Sequence, residues 1–223
     1  MAAPHGRKIK KQVKQILCID NKAKAFDQLR QIPEKVLIAP LFSYFYSMED
    51  LIRFRSSVAM GDLTHRLAKN KIEDARIILR RLMWNLNDES GGIGWGSVEA
   101  MGEILALNKT LAKEFESILF SYINSKGNFL EHEMLQRGSL WGIGTYLKIY
   151  TDKNPDPSLI KSIMFFLDSK DPVKRGYALR ALLNMDNKNI YLIPETIKSD
   201  KNIIPFFDGW DMEQIEIASL MHI

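Results

Sequence analysis

Apolar residues recur at helical spacing along nearly the whole chain. Ile9, Val13, Ile16 and Leu17 fall on one stripe, as do Leu51, Phe54, Val58 and Leu67, the period of amphipathic helices that bury one face. Start signals agree with this pattern. Ser47 precedes "MEDLIRF", with Asp50 placed like the acid of a capping box. "DPVKRGYALRALL" offers Asp171 as N-cap and Pro172 at the first helical position. Breaks fall at 70–71, 88–96, 126–128, 154–157 and 170–171, where polar, glycine and proline residues interrupt the stripe. The pattern predicts roughly ten helices and almost no strand before the tail.

The pattern also repeats. Ala59-Met60-Gly61, Ala100-Met101-Gly102 and Gly142-Ile143-Gly144 each place a small–apolar–glycine triplet inside an apolar helix, and Ala178-Leu179-Arg180 keeps its first two positions. The steps between triplets are 41, 42 and 36 residues. Each triplet falls in the second member of a helix pair, whose first members are expected at about 36–46, 71–85, 109–123 and 157–168. A glycine inside a helix costs about 1 kcal/mol relative to alanine, so its return at a fixed phase needs a reason. Close approach of the next helix pair supplies one. A two-helix unit of this length is the signature of a HEAT-type α-solenoid. The tail differs: "IIPFFDGWDMEQIEI" alternates apolar and polar residues around Asp208-Gly209. That predicts a short hairpin at about 204–217 capping the last repeat, with an irregular tail as the alternative. The division expected is a basic arm over residues 1–35, the solenoid over 36–200 and a cap over 201–223.

"DPVKRGYALRALLNM" resembles the helix opening of HEAT repeats, in particular the short PBS-lyase HEAT-like kind. "RRLMWNLNDESGGIGWGSVEAMGEIL" resembles a segment of a small group of HEAT-like proteins from anaerobic, sulfate-reducing bacteria, to which no activity is assigned. The HEAT resemblance covers residues 36–186. It implies an all-α solenoid of about four helix pairs plus N-terminal helices. It also brings the alternative of a lyase-associated HEAT protein, although the repeat is shared more widely than that activity.

Charge changes the picture only at one end. Residues 1–35 hold nine lysines and arginines against three acids, giving +6, whereas the other 22 bases and 24 acids give −2. The basicity belongs to the arm: a solvated helix face, or a contact for an acidic partner or nucleic acid. One cysteine, Cys18, excludes an internal disulfide and any cysteine-rich metal site. It fits a reducing cytosol, and its ordinary role is a small buried or half-buried apolar group. The chain's start lacks the apolar core of a signal peptide, and no apolar run is long enough to span a bilayer.

The stretch "WNLNDESGGIGWGSVEAMGEIL" (residues 84–105) invites a phosphate-loop reading and refuses it. Gly91 to Gly96 has the right glycine spacing, but Ser97 stands where lysine is needed and Val98 where Ser or Thr would bind magnesium. The preceding segment reads as helix, not strand. Two readings remain. In the first, the glycines permit a tight connector covered by Trp84 and Trp95. In the second, Trp84, Asn85, Asp88, Glu89, Trp95 and Glu99 gather on a scaffold-held loop that grips a cationic peptide; Glu103 lies one turn beyond Glu99.

Elsewhere, Trp141 sits beside Gly142 and offers either core packing or an aromatic anchor on the concave face. Arg55, Arg137 and Arg175 precede their triplets by similar steps and read as an arginine ladder or as solvated surface groups. The four histidines form no ligand pair, no G-x-S-x-G elbow is present, and no metal or cofactor is expected. The reading favoured is an interaction scaffold that holds a protein or peptide through its concave helix face and the 84–99 loop. An enzyme is the less favoured class: a HEAT-like nucleic-acid-binding or glycosylase-like repair protein is its alternative, with no catalytic motif matched.

Overall fold

The computed structural model describes residues 3–87, 94–150, 156–185 and 193–222. The chain opens with α1 (Ala3–Leu17) and α2 (Lys22–Arg30), then forms four successive helix pairs. These are α3 (Glu34–Tyr44) with α4 (Asp50–Asn70), α5 (Ile72–Leu86) with α6 (Ser97–Leu107), α7 (Lys109–Ser121) with α8 (Glu133–Ile149), and α9 (Pro157–Phe165) with α10 (Pro172–Leu183). A short α11 (Glu195–Lys198) leads into β1 (Ile203–Asp208) and β2 (Asp211–Glu216), and a 3-10 segment over Ile217–His222 follows. Among the described residues, helix dominates and the only sheet is this antiparallel pair.

The helix starts are set by local chemistry. Asn21, Asn108, His132, Asp156 and Asp171 each use a side chain to accept a backbone N–H of the first turn, satisfying donors the helix leaves open. Asp171 and Pro172 take the N-cap and first-turn places expected of them. Ser47 does not cap α4: its hydroxyl accepts from the Glu49 amide, and the helix begins two residues later than the capping-box reading placed it.

The second helices pack on one another in the order α4, α6, α8, α10. Contact between α6 and α8 is backbone on backbone, because a Cβ at Gly102 would lie 2.5 Å from the Cα of Gly142. The flanking layers use the other two repeat glycines. A Cβ on Gly61 would meet that of Glu103 at 2.8 Å, and one on Gly144 would meet an Arg180 nitrogen at 2.7 Å. The basic arm is no appendage, since Val13 and Leu17 of α1, which packs on α3 and α4, are fully buried, as is Ala25 of α2. Cys18, expected inside or half inside, is exposed at the end of α1.

The hairpin corrects a further expectation. It does not merely cap the last pair; it runs from α10 back to the N-terminal helices, across the faces of the second helices. Tyr177 donates to the Pro205 carbonyl, Trp141 Nε1 to that of Phe207 (3.3 Å), and Arg55 Nε to that of Trp210 (2.8 Å). Trp210 Nε1 in turn donates to the Ile19 carbonyl at 2.8 Å. Its turn is the expected one, with Gly209 at φ +70° and Asp208 opposite Asp211.

Candidate functional site

The face made by α4, α6, α8 and α10 is the natural place for a site, and the hairpin occupies its middle. Phe207 stacks on Phe54 with ring centres 4.8 Å apart and packs against Trp141. Openings remain on either side of the hairpin.

On one side lies a cavity of about 30 Å³ at the N-terminal ends of the second helices, bordered by Asp50, Arg53, Glu99, Arg137, Gly138 and Tyr177. Glu99 is buried, and its carboxylate fills the space a Gly138 side chain would take, with only 2.6 Å from the virtual Cβ to Cδ. Burial pushes the Glu99 carboxyl upward, against the pull of the Arg53 guanidinium and of backbone N–H groups at the start of α6. Arg53 is held by Asp50 at 2.7 Å, and Arg137 by Asp171 at 2.6 Å. The cavity has room for a water or two and none for a substrate.

On the other side an open groove of about 500 Å³ runs between α2, α4 and α6. Phe26, Val58 and Leu107 supply its apolar lining, and Lys22, Asp27, Arg30 and Asp62 its charged rim. Arg30 and Asp62 satisfy each other at 2.7 Å. Glu103, on α6, is half-buried in this groove and makes no hydrogen bond or salt bridge among the described residues. Burial pushes its carboxyl up to about 7, only partly offset by Lys22 and Arg180. A carboxylate poised near neutrality in an open groove is a functional-site signal with a physical cause.

The residues proposed from sequence scatter. Trp84 is 75% exposed at the end of α5, and part of the glycine run it is expected to cover lies outside the described residues. Asn85 instead serves through its backbone, whose carbonyl lies 2.7 Å from where a Gly94 side chain would begin. Trp95 is half-buried, and its indole N–H finds no partner among the described residues. Asp88 and Glu89 lie outside the described residues. Trp141 is 1% exposed and sealed under Phe207, so it is no open anchor.

The three arginines share no ladder. Arg55 is buried, donating to the carbonyls of Leu17 (2.9 Å), Ile19 and Trp210 beside Asp20 and Asp211. Arg137 holds the N-cap acid of α10, and Arg175 holds Asp200 at 2.8 Å. Similar spacing fixed their places on the helices and not the directions of their side chains. Sequence reasoning passed over Arg53, Lys22 and Arg180. Only Arg180 left a signal, as the residue that replaces glycine in the fourth triplet.

Among the described residues, no group of three His, Cys, Asp or Glu side chains is placed to hold a metal ion. None of the described helices is long and apolar enough to cross a membrane. No protein-family model matches the chain. Over 189 residues it is 25% identical to an uncharacterized protein of Archaeoglobus fulgidus, a match covering 84% of this chain and 95% of that protein. Among solved structures it is similar to the crystal structure of an engineered protein, with 14% identity and a TM-score of 0.42 over 78% of this chain and 79% of the other.

Proposed function

We propose that this chain is an interaction scaffold: a HEAT-like α-solenoid of four helix pairs, closed over much of its inner face by its own hairpin, that holds a partner protein segment in the remaining groove. Support for the solenoid comes from the consecutive packing of the second helices and from repeat glycines placed at the contacts between layers. The observation carrying the function is the groove between α2, α4 and α6, of about 500 Å³, open and apolar-lined beside a face that is otherwise filled.

The test blocks the groove from its exposed edge. Ala23→Arg combined with Leu107→Arg adds two long side chains at exposed positions. Affinity capture with mass spectrometry should recover a protein with the parent chain that the blocked variant loses, while both unfold at the same temperature. Equal recovery overturns the reading. The nucleic-acid alternative gains nothing from the inner face, because Arg53, Arg55, Arg137 and Arg175 are all engaged by acids or carbonyls. Steeply salt-dependent DNA binding in the micromolar range would reinstate it.

A further inference from the structure

The groove beside α2 holds a carboxylate that the fold leaves unanswered. Of the three acids in its lining, Asp62 meets Arg30 at 2.7 Å and Arg66 at 3.0 Å, whereas Asp27 and Glu103 make no ion pair among the described residues. The position of Glu103 is fixed, since Gly61 lets α4 close onto its Cβ. The lining carries three carboxylates (Asp27, Asp62, Glu103) and two cations (Lys22, Arg30), and Arg180 of α10 adds a third cation near Glu103. Phe26, Val58 and Leu107 line the same groove, apolar surface suited to an alkyl stem.

We propose that this groove binds a lysine side chain of the partner segment, its methylenes lying along Phe26, Val58 and Leu107 and its ammonium pairing with Glu103. The inference rests on the scaffold reading and names the chemistry by which that scaffold selects its partner. Lysine fits better than arginine because Glu103 offers one carboxylate in a groove whose remaining surface is largely Phe26, Val58 and Leu107. A guanidinium needs several acceptors in a planar fork, whereas an ammonium is a compact charge on a flexible apolar stem.

Binding requires Glu103 to be ionised, so affinity should rise with pH through neutrality. The charged groups facing it are Lys22, Asp27 and Arg30 from α2, Asp62 from α4 and Arg180 from α10, with Asp208 of β1 beyond Arg180. With its carboxyl near 7, the lysine should bind about tenfold more weakly at pH 6 than at pH 8.

The probe is a blocked pentapeptide, acetyl-Ala-Ala-Lys-Ala-Ala-amide, titrated into the isotopically labelled full chain by NMR. A matching peptide with norleucine for lysine, and hexylammonium, serve as the other arms. The expected result is shift changes at Ala23, Val58 and Leu107. The lysine peptide should bind at least fivefold tighter than the norleucine one, and Glu103→Gln should erase that preference. Equal affinity for both peptides, or an unchanged preference in Glu103→Gln, overturns the proposal. So does binding of hexylammonium with none of the lysine peptide. If the groove-blocked variant loses its captured protein while Glu103→Gln keeps the lysine preference, the scaffold stands and the lysine site falls.

Discussion

Gly102 and Gly142 join α6 to α8 without any side chain between them: a Cβ on Gly102 would stand 2.4 Å from the Gly142 carbonyl oxygen. Neither helix can yield locally, because both are buried along this face. Gly102→Ala must therefore push two backbones apart and should cost about 3 kcal/mol or more, at the top of the range for overpacking. Gly6→Ala, with nothing within 4 Å of the added carbon, serves as the control and should not lower stability. Urea unfolding of the two variants makes the comparison.

Arg55 is the fastener between the hairpin and the N-terminal helices. It is 1% exposed, and its guanidinium reaches the Trp210, Leu17 and Ile19 carbonyls as well as Asp20 and Asp211. Lysine can keep the charge there but cannot supply the fork. Arg55→Lys is expected to lose about 2–4 kcal/mol, since backbone carbonyls that the guanidinium reaches are left without donors in a buried place. Limited proteolysis should then cut the hairpin faster than in the parent chain, and an unchanged cleavage rate would show that the hairpin is held by its apolar contacts alone.

How much of this was legible depends on distance along the chain. The helix pairs were, because caps such as Asp171 and glycines such as Gly61 and Gly102 act within a turn or across one predictable layer. The hairpin's turn was legible too, since Asp208-Gly209 is a local signal. Its docking was not: the Trp210 N–H finds the Ile19 carbonyl 191 residues away, and no periodicity encodes that meeting. The site shows the same limit. Glu99 and Glu103 were both singled out, four residues apart on one helix. Which of them is sealed beneath Gly138 and which opens into the groove is decided by neighbours on α8 and α2.

The four tryptophans should separate cleanly by environment. Trp84 is 75% exposed, Trp95 half-buried, and Trp141 and Trp210 are 1% and 2% exposed. Trp84→Ser should change stability by no more than about 0.5 kcal/mol, as exposed substitutions usually do, and should remove most of the iodide-quenchable emission. Trp210→Ala should cost about 3–5 kcal/mol, the range for a large buried aromatic. A large stability loss in Trp84→Ser would mean that this indole is covered by part of the chain after all.

Glu103 sets a pH dependence whose sign follows from its surroundings. Burial holds its carboxyl at about 7 in the folded chain, against 4.5 for an ordinary glutamate. The folded state therefore keeps this proton at pH values where the unfolded chain has released it. Stability contributed by this group is complete below 4.5 and is lost as the pH rises from there through 7. Glu103→Gln, which cannot ionise, should escape that loss. At pH 8 it should be more stable than the parent chain by about 2 kcal/mol, a figure reduced from the full linkage value because the side chain is only half-buried. Near pH 4 the two should coincide within about 0.5 kcal/mol. Thermal unfolding from pH 4 to pH 8 reads the difference directly. A constant gap between the two proteins would mean that Glu103 titrates like a solvated acid, and the groove would then lack the unanswered charge that makes it a site.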